Sequence, residues 1–157
     1  MKLLAIVQSS EKTGNTMQIA EAMAEVAPLT IAELKDATKY NLEQFDAVGF
    51  ASGINAGKHE PELLKYVEGF EKTPKNSFVF STSATGNYKK YNQKLIGLLK
   101  SKGSNVLGSF GCKALCTFFI FGLFGGINKG HPNRDDFDAA QQFIKDIEAQ
   151  IEKLKNN

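Results

Sequence analysis

The chain has 157 residues, 42% of them hydrophobic and 23% charged, and carries a formal net charge of +2. That length suits one domain, residues 1–157, with a single core, and the balance reads as soluble and globular. So small a charge, with scattered lysines and one arginine, argues against nucleic acid as a partner, and two cysteines make no disulfide framework.

Leu3–Val7 is an unbroken apolar run, too short for a secretory leader, and it predicts a buried strand in a cytoplasmic protein. It feeds Ser9-Ser10-Glu11-Lys12-Thr13-Gly14-Asn15-Thr16, and a helical pattern starts near Thr16 or Met17. Ile19, Ala20, Met23, Ala24 and Ala27 then fall on one helix face. Strand, hydroxyl-rich turn and helix start together hold a phosphate. The first helical N–H groups lack intrahelical partners, and the macrodipole makes that end positive. Ser9, Ser10, Thr13, Asn15 and Thr16 add neutral donors, while Gly14 lets the backbone come close. Asn15, not lysine, precedes Thr16, so this is no Walker A loop, and Gly-x-Gly-x-x-Gly is missing too.

Further along, Leu29–Glu33 alternates like an edge strand, and Ala47–Ala51, Ser77–Ser81 and Asn105–Phe110 read as buried strands. Pro61 opens a helix that buries Leu63, Leu64 and Val67; Tyr91–Leu99 and Phe137–Leu154 give two more. Alternating strands and helices predict an α/β fold: a five-stranded parallel sheet with helices on both faces. A ligand at the switch point of such a sheet touches Ser9–Thr16, Ser52–His59 and Thr82–Tyr88.

Thr13-Gly14-Asn15-Thr16 after the first strand resembles the phosphate loop of the flavodoxins. Asp46–Ile54, Ala56-Gly57-Lys58-His59 and Phe80–Ser83 follow in the family's order, and Gly126–Asn133 resembles a subgroup of short bacterial flavodoxin-like chains. The likeness covers nearly the whole chain. It implies a doubly wound sheet of order 2-1-3-4-5, the order this family exemplifies, with FMN as cofactor.

By that resemblance Ser9, Ser10, Lys12, Thr13, Gly14, Asn15 and Thr16 would hold the phosphate end, with Lys12 at the rim. Ser52, Gly53, Ile54, Asn55, Ala56 and Gly57 would lie against the inner flavin face. Ser83, Ala84, Thr85, Gly86, Asn87 and Tyr88 would form the third wall. Glu11 stands where the family usually has Ser or Thr, and is expected to point to water. No aromatic occupies the second loop, which leaves the inner face to Ile54 or backbone. A semiquinone carries a proton on N5, and the Ala56–Gly57 peptide is the candidate to flip and accept it. Tyr88 either stacks on the outer face or covers core at a helix start; Tyr91 reads as core.

His59, before Glu60-Pro61, reads as a surface residue rather than a catalytic one. His131 precedes Pro132-Asn133, where Asn133 can cap the last helix and Asp135 and Asp136 favour its positive end. Cys112 and Cys116 read as buried thiols, since neither a metal set nor Cys-x-x-Cys is present. Ala114–Ile127 is uncharged and holds four phenylalanines. At that length it cannot span a bilayer as a helix. It is either a core-packing lid or a patch that docks a partner, a quinone or, as the lesser alternative, a membrane surface.

The resemblance implies a carrier that shuttles single electrons between redox partner proteins, as a monomer or weak dimer, with no metal and no catalytic side chain. The alternative is an enzyme, an FMN-dependent NAD(P)H:quinone reductase or a protoporphyrinogen-oxidase-like protein, to which Ala56–His59 and the near-neutral charge also fit. A receiver domain is excluded because Gln8-Ser9 and Ser52-Gly53 replace the aspartates it needs. A flavin-free interaction module on the same fold is the remaining reading.

Overall fold

Runs that lack polar alternation must be covered on both sides, and the computed structural model, which describes residues 1–9, 14–115 and 126–157, places them so. In chain order the elements are β1 (Leu3–Gln8), α1 (Asn15–Ala24), β2 (Leu29–Glu33), β3 (Ala47–Asn55) and β4 (Lys58–His59). There follow α2 (Pro61–Glu68), β5 (Asn76–Ser83), α3 (Tyr88–Tyr91), α4 (Gln93–Ser101), β6 (Asn105–Lys113) and α5 (Arg134–Asn156). Two 3-10 turns, Leu34–Lys39 and Leu42–Gln44, connect β2 to β3.

The long strands are parallel in the order β2-β1-β3-β5-β6, which is the expected 2-1-3-4-5 once β4 is set aside. Strand β4 is short and pairs antiparallel to the end of β3, through Ile54 with His59 and Asn55 with Lys58. The stretch after Ala51 is thus not a loop but a strand and a hairpin. Registers align Gln8 with Ser52, Ser52 with Ser81 and Ser81 with Gly111, so β1 ends at this level while β3, β5 and β6 run on past it to Asn55, Ser83 and Lys113.

Alternate residues of each strand feed two cores, as the two-residue strand period requires. Leu3, Ala5, Val7, Phe78 and Phe80 pack with Ile19 and Met23 of α1 and with Ile144 and Ile147 of α5. Leu4, Ile6, Val48, Phe50 and Val79 pack with Leu63 and Val67 of α2 and with Leu95 and Leu99 of α4. Helices therefore cover both faces.

The helix starts follow their local chemistry. Pro61 sits in the first turn of α2, where its missing N–H costs nothing. Asn133 caps α5 by accepting from Asp135 N (3.0 Å) and Asp136 N (3.2 Å), and Asp136 Oδ2 accepts in turn from Asn133 N at 2.9 Å. That is a full capping box. The expected Tyr91–Leu99 helix is instead two pieces, α3 and α4, joined at Asn92. No helix among the described residues is long and apolar enough to cross a membrane.

Candidate functional site

The first wall is the start of α1 at the carboxyl end of β1. Gly14 lies in the left-handed region (φ 58°), and its carbonyl takes the first helical bond, from Gln18 N at 2.9 Å. Having no side chain, it cannot cap the first-turn N–H groups itself, and among the described residues Ser9 Oγ makes a long contact with Met17 N at 3.4 Å. No acidic residue stands in that turn. A helix start with no acidic residue in its first turn favours an anion. Ser10, Glu11, Lys12 and Thr13 lie outside the described residues.

The α1 start is fastened to its neighbours by two side chains. Thr16 is buried and its Oγ1 lies 2.8 Å from Thr82 Oγ1 at the end of β5. Asn15 donates from Nδ2 to Leu115 O at 2.9 Å. Both ties cross long sequence distances, so the helix start is set by tertiary contacts as much as by its loop.

The second wall is the β3–β4 hairpin. Its two turn residues, Ala56 (φ 49°) and Gly57 (φ 76°), are both left-handed, the conformation that matches a two-residue turn to the twist of its strands. A Cβ added to Gly14 or Gly53 would meet nothing within 4 Å, so both glycines border open space. Gly57 instead lies under the ring of Tyr91.

His59 corrects the sequence expectation: it is not a surface residue but 3% exposed. Asn92 Nδ2 donates to Ser109 Oγ (2.9 Å) and to Phe110 O (3.0 Å), which leaves Oδ1 to accept. His59 Nε2 therefore carries the proton and donates to Asn92 Oδ1 at 2.9 Å. His59 Nδ1 is then an acceptor, facing Ser52 Oγ at 2.7 Å. Ser52 Oγ also lies 2.8 Å from Gly53 O and accepts from Glu60 N at 3.1 Å. Burial holds the imidazole down at about 4, well below its ordinary value, so it is neutral near pH 7.

Serine, histidine and a third polar group in sequence suggest an activated nucleophile. Ser52, however, is fully buried, so no substrate reaches its hydroxyl. The network holds the hairpin to α4 and β6.

The third wall, 83–88, is folded by its own bonds. Gly86 N donates to Ser83 Oγ at 2.9 Å, Asn87 N reaches Thr85 Oγ1 at 3.3 Å, and Tyr91 Oη lies 3.0 Å from the same hydroxyl. Asn128 Nδ2 donates to Ala84 O (2.6 Å) and Ala114 O (3.1 Å), which closes this wall against the end of β6. Tyr88 sits half-buried over Gly111, its ring 6.3 Å from that of Phe110, at the β6 edge. Of the two tyrosines it is Tyr91 that reaches the hairpin.

The other candidates are paired or buried. His131 Nδ1 pairs with Asp136 Oδ2 at 2.7 Å beside the α5 cap. Cys112 is a buried free thiol, pushed up to about 12 by burial and then by the Asp136 carboxylate. Cys116 and most of Ala114–Ile127 lie outside the described residues. Among the described residues no group of three or more His, Cys, Asp or Glu could hold a metal ion.

Asn92, Leu115 and Asn128 are the residues that sequence reasoning missed, and the tie from Thr82 to Thr16 was missed with them. Only the hairpin turn signal, Asn55-Ala56-Gly57, would have folded His59 back onto Ile54; the long-range ties leave no local pattern.

The parallel order β2-β1-β3-β5-β6 agrees with what related chains show. The chain belongs to the flavodoxin family: the family model described as a flavodoxin domain matches residues 5–114. An uncharacterised protein of Methanocaldococcus jannaschii is 39% identical over 148 residues, 94% of this chain and 98% of that one. Among solved structures, a flavodoxin from the domain Archaea superposes with a TM-score of 0.69 at 15% identity, covering 97% of this chain and 99% of that one. Flavodoxin 1 of Bacillus cereus gives 0.64 at 21% identity, over 93% and 96%. A WrbA-like flavodoxin of Agrobacterium tumefaciens gives 0.67 at 17%, over 98% and 99%. These structural likenesses establish the fold.

Proposed function

We propose that this protein binds FMN and carries single electrons between redox partner proteins, working as one domain in a reducing cytoplasm. The carrying observation is the start of α1 behind the left-handed Gly14, at the sheet's switch point, with no acidic residue in its first turn. The phosphate of FMN suits that start, with Asn15 and Thr16 held in place by their ties to Leu115 and Thr82. The open space bordering Gly14 and Gly53 suits a planar ring system between the hairpin and the 83–88 wall. Bound flavin would supply the redox chemistry; the chain's part is to bind, orient and shield it.

A carrier needs no acid or base, and the Ser52–His59 pair is sealed from solvent. That sealing favours the carrier over the enzyme reading. The test is titration of the purified protein with FMN, followed by stepwise anaerobic reduction under a spectrophotometer. Stoichiometric binding and a distinct one-electron stage are the expected result. Failure to bind FMN would overturn the flavin reading, and reduction straight to the two-electron level would overturn single-electron transfer.

A further inference from the structure

The lysines are spread along the chain, but the carboxylates are not. From Lys72 to Arg134, residues 72–134, there is no carboxylate at all, while nine lysines and one arginine fall there. All seventeen carboxylates and the other nine cations lie outside that stretch, so its charge of +10 is set against −8 elsewhere, giving the net +2.

Five exposed lysines gather around the third wall. Lys89 and Lys90 lie on α3 itself. Lys113 packs its side chain against Gly86. Lys129 adjoins Asn128, whose amide is bonded to Ala84 O. Lys58 adjoins Gly57, which lies under Tyr91. None of the five forms an ion pair among the described residues. At the opposite end of the strands, by contrast, Lys72 pairs with Glu43 and Lys102 Nζ donates to the carbonyls of Glu68 and Phe70.

Like charges gathered around one wall of the site attract an anionic surface. Nucleic acid fits less well than protein. The rim has no arginine, since Arg134 lies outside it and pairs with Asp138, and α3 is a single turn too short to enter a groove. The half-buried tyrosines offer no stacking platform, because Tyr91 is bonded to Thr85 and Tyr88 packs on Gly111.

We propose that the lysine rim formed by Lys58, Lys89, Lys90, Lys113 and Lys129 is the docking surface for an acidic redox protein, which it steers onto the third wall of the site. This rests on the flavin-carrier reading for the meaning of the contact, though not for its existence. Rim charges of this kind set the rate of encounter and its salt dependence more than the final affinity.

The test uses a plant-type [2Fe–2S] ferredoxin as the acidic probe and cytochrome c as the basic one. Binding is titrated at low and at physiological ionic strength, with flavin content read separately from the visible spectrum. The expected result is salt-sensitive binding to the ferredoxin and none to the cytochrome. Charge reversal by Lys89→Glu, Lys90→Glu and Lys113→Glu together should weaken it by about tenfold or more. Reversal of Lys72, Lys75 and Lys100 makes the same change in net charge and should leave it within about twofold.

Equal losses in the two triple variants would overturn the proposal, showing only the effect of total charge. No binding to the ferredoxin at low salt would overturn it too. Tighter binding to a short DNA duplex than to the ferredoxin, lost in the rim variant, would overturn it in favour of a nucleic-acid surface. Docking by protein that takes up no FMN would support the surface while the carrier reading failed.

Discussion

Gly49 and Phe78 stand side by side on β3 and β5, and the ring of Phe78 fills the place that a side chain on Gly49 would need. Phe78 is fully buried and is hemmed in by Phe80 and Phe143, so it cannot swing away. Gly49→Ala should therefore destabilise the fold by about 2–3 kcal/mol through overpacking. Urea denaturation would show it as a lower midpoint with an unchanged slope. A midpoint equal to that of the parent would mean that the ring moves freely.

Stability should fall with acid through His59. Its folded value, about 4, lies below the ordinary 6.5, so the neutral form is the one the fold prefers. Above pH 6.5 both states are neutral and stability is full; below it the unfolded chain takes up a proton that the folded one refuses. The loss then grows as pH falls from 6.5 to 4, reaching about 3 kcal/mol, and levels off below. Glu60 next to it works in the opposite sense, since burial raises its carboxyl. His59→Gln should flatten this part of the profile. Parallel pH–stability curves for the two proteins would count against the assignment.

Cys112 should be inert. Its thiol is buried and held near 12, so at pH 8 almost none is thiolate. In a Cys116→Ser background, Ellman's reagent should find no reactive thiol in the native protein and one in guanidinium. Rapid native labelling would place Cys112 at the surface.

Gly14 offers a separation of strain from clash. A methyl there meets no neighbour, so Gly14→Ala pays only for the left-handed backbone, about 1 kcal/mol. If the α1 start holds phosphate as proposed, FMN affinity should drop by more than that strain accounts for. Riboflavin, which lacks the phosphate, should bind parent and variant alike. Equal losses for both ligands would place the phosphate elsewhere.

The strands and helices were legible because their signals are local. Leu3–Val7 and Ser77–Ser81 are uninterrupted apolar runs, and Asn133 with Asp136 spells out a cap over four residues. Of the site, Gly14-Asn15-Thr16 was readable for the same reason. What escaped was anything made by residues far apart. His59 looked like an exposed residue beside charged Lys58 and Glu60, and only the hairpin and Asn92, 33 residues away, bring it inside. Likewise a helix pattern over Tyr91–Leu99 could not show that Asn92 would spend its amide on β6.

The chain of bonds from Ser52 through His59 and Asn92 to Ser109 runs from β3 to β6. Its members are uncharged and each is pinned by its neighbour, so their dipoles have little room to turn. When an electron arrives at or leaves a centre beside such a wall, the surroundings must readjust, and the energy of that readjustment slows the transfer. Walls whose dipoles stay put keep that reorganisation energy small, which makes a sealed, neutral serine–histidine pair more useful to an electron carrier than a reactive one.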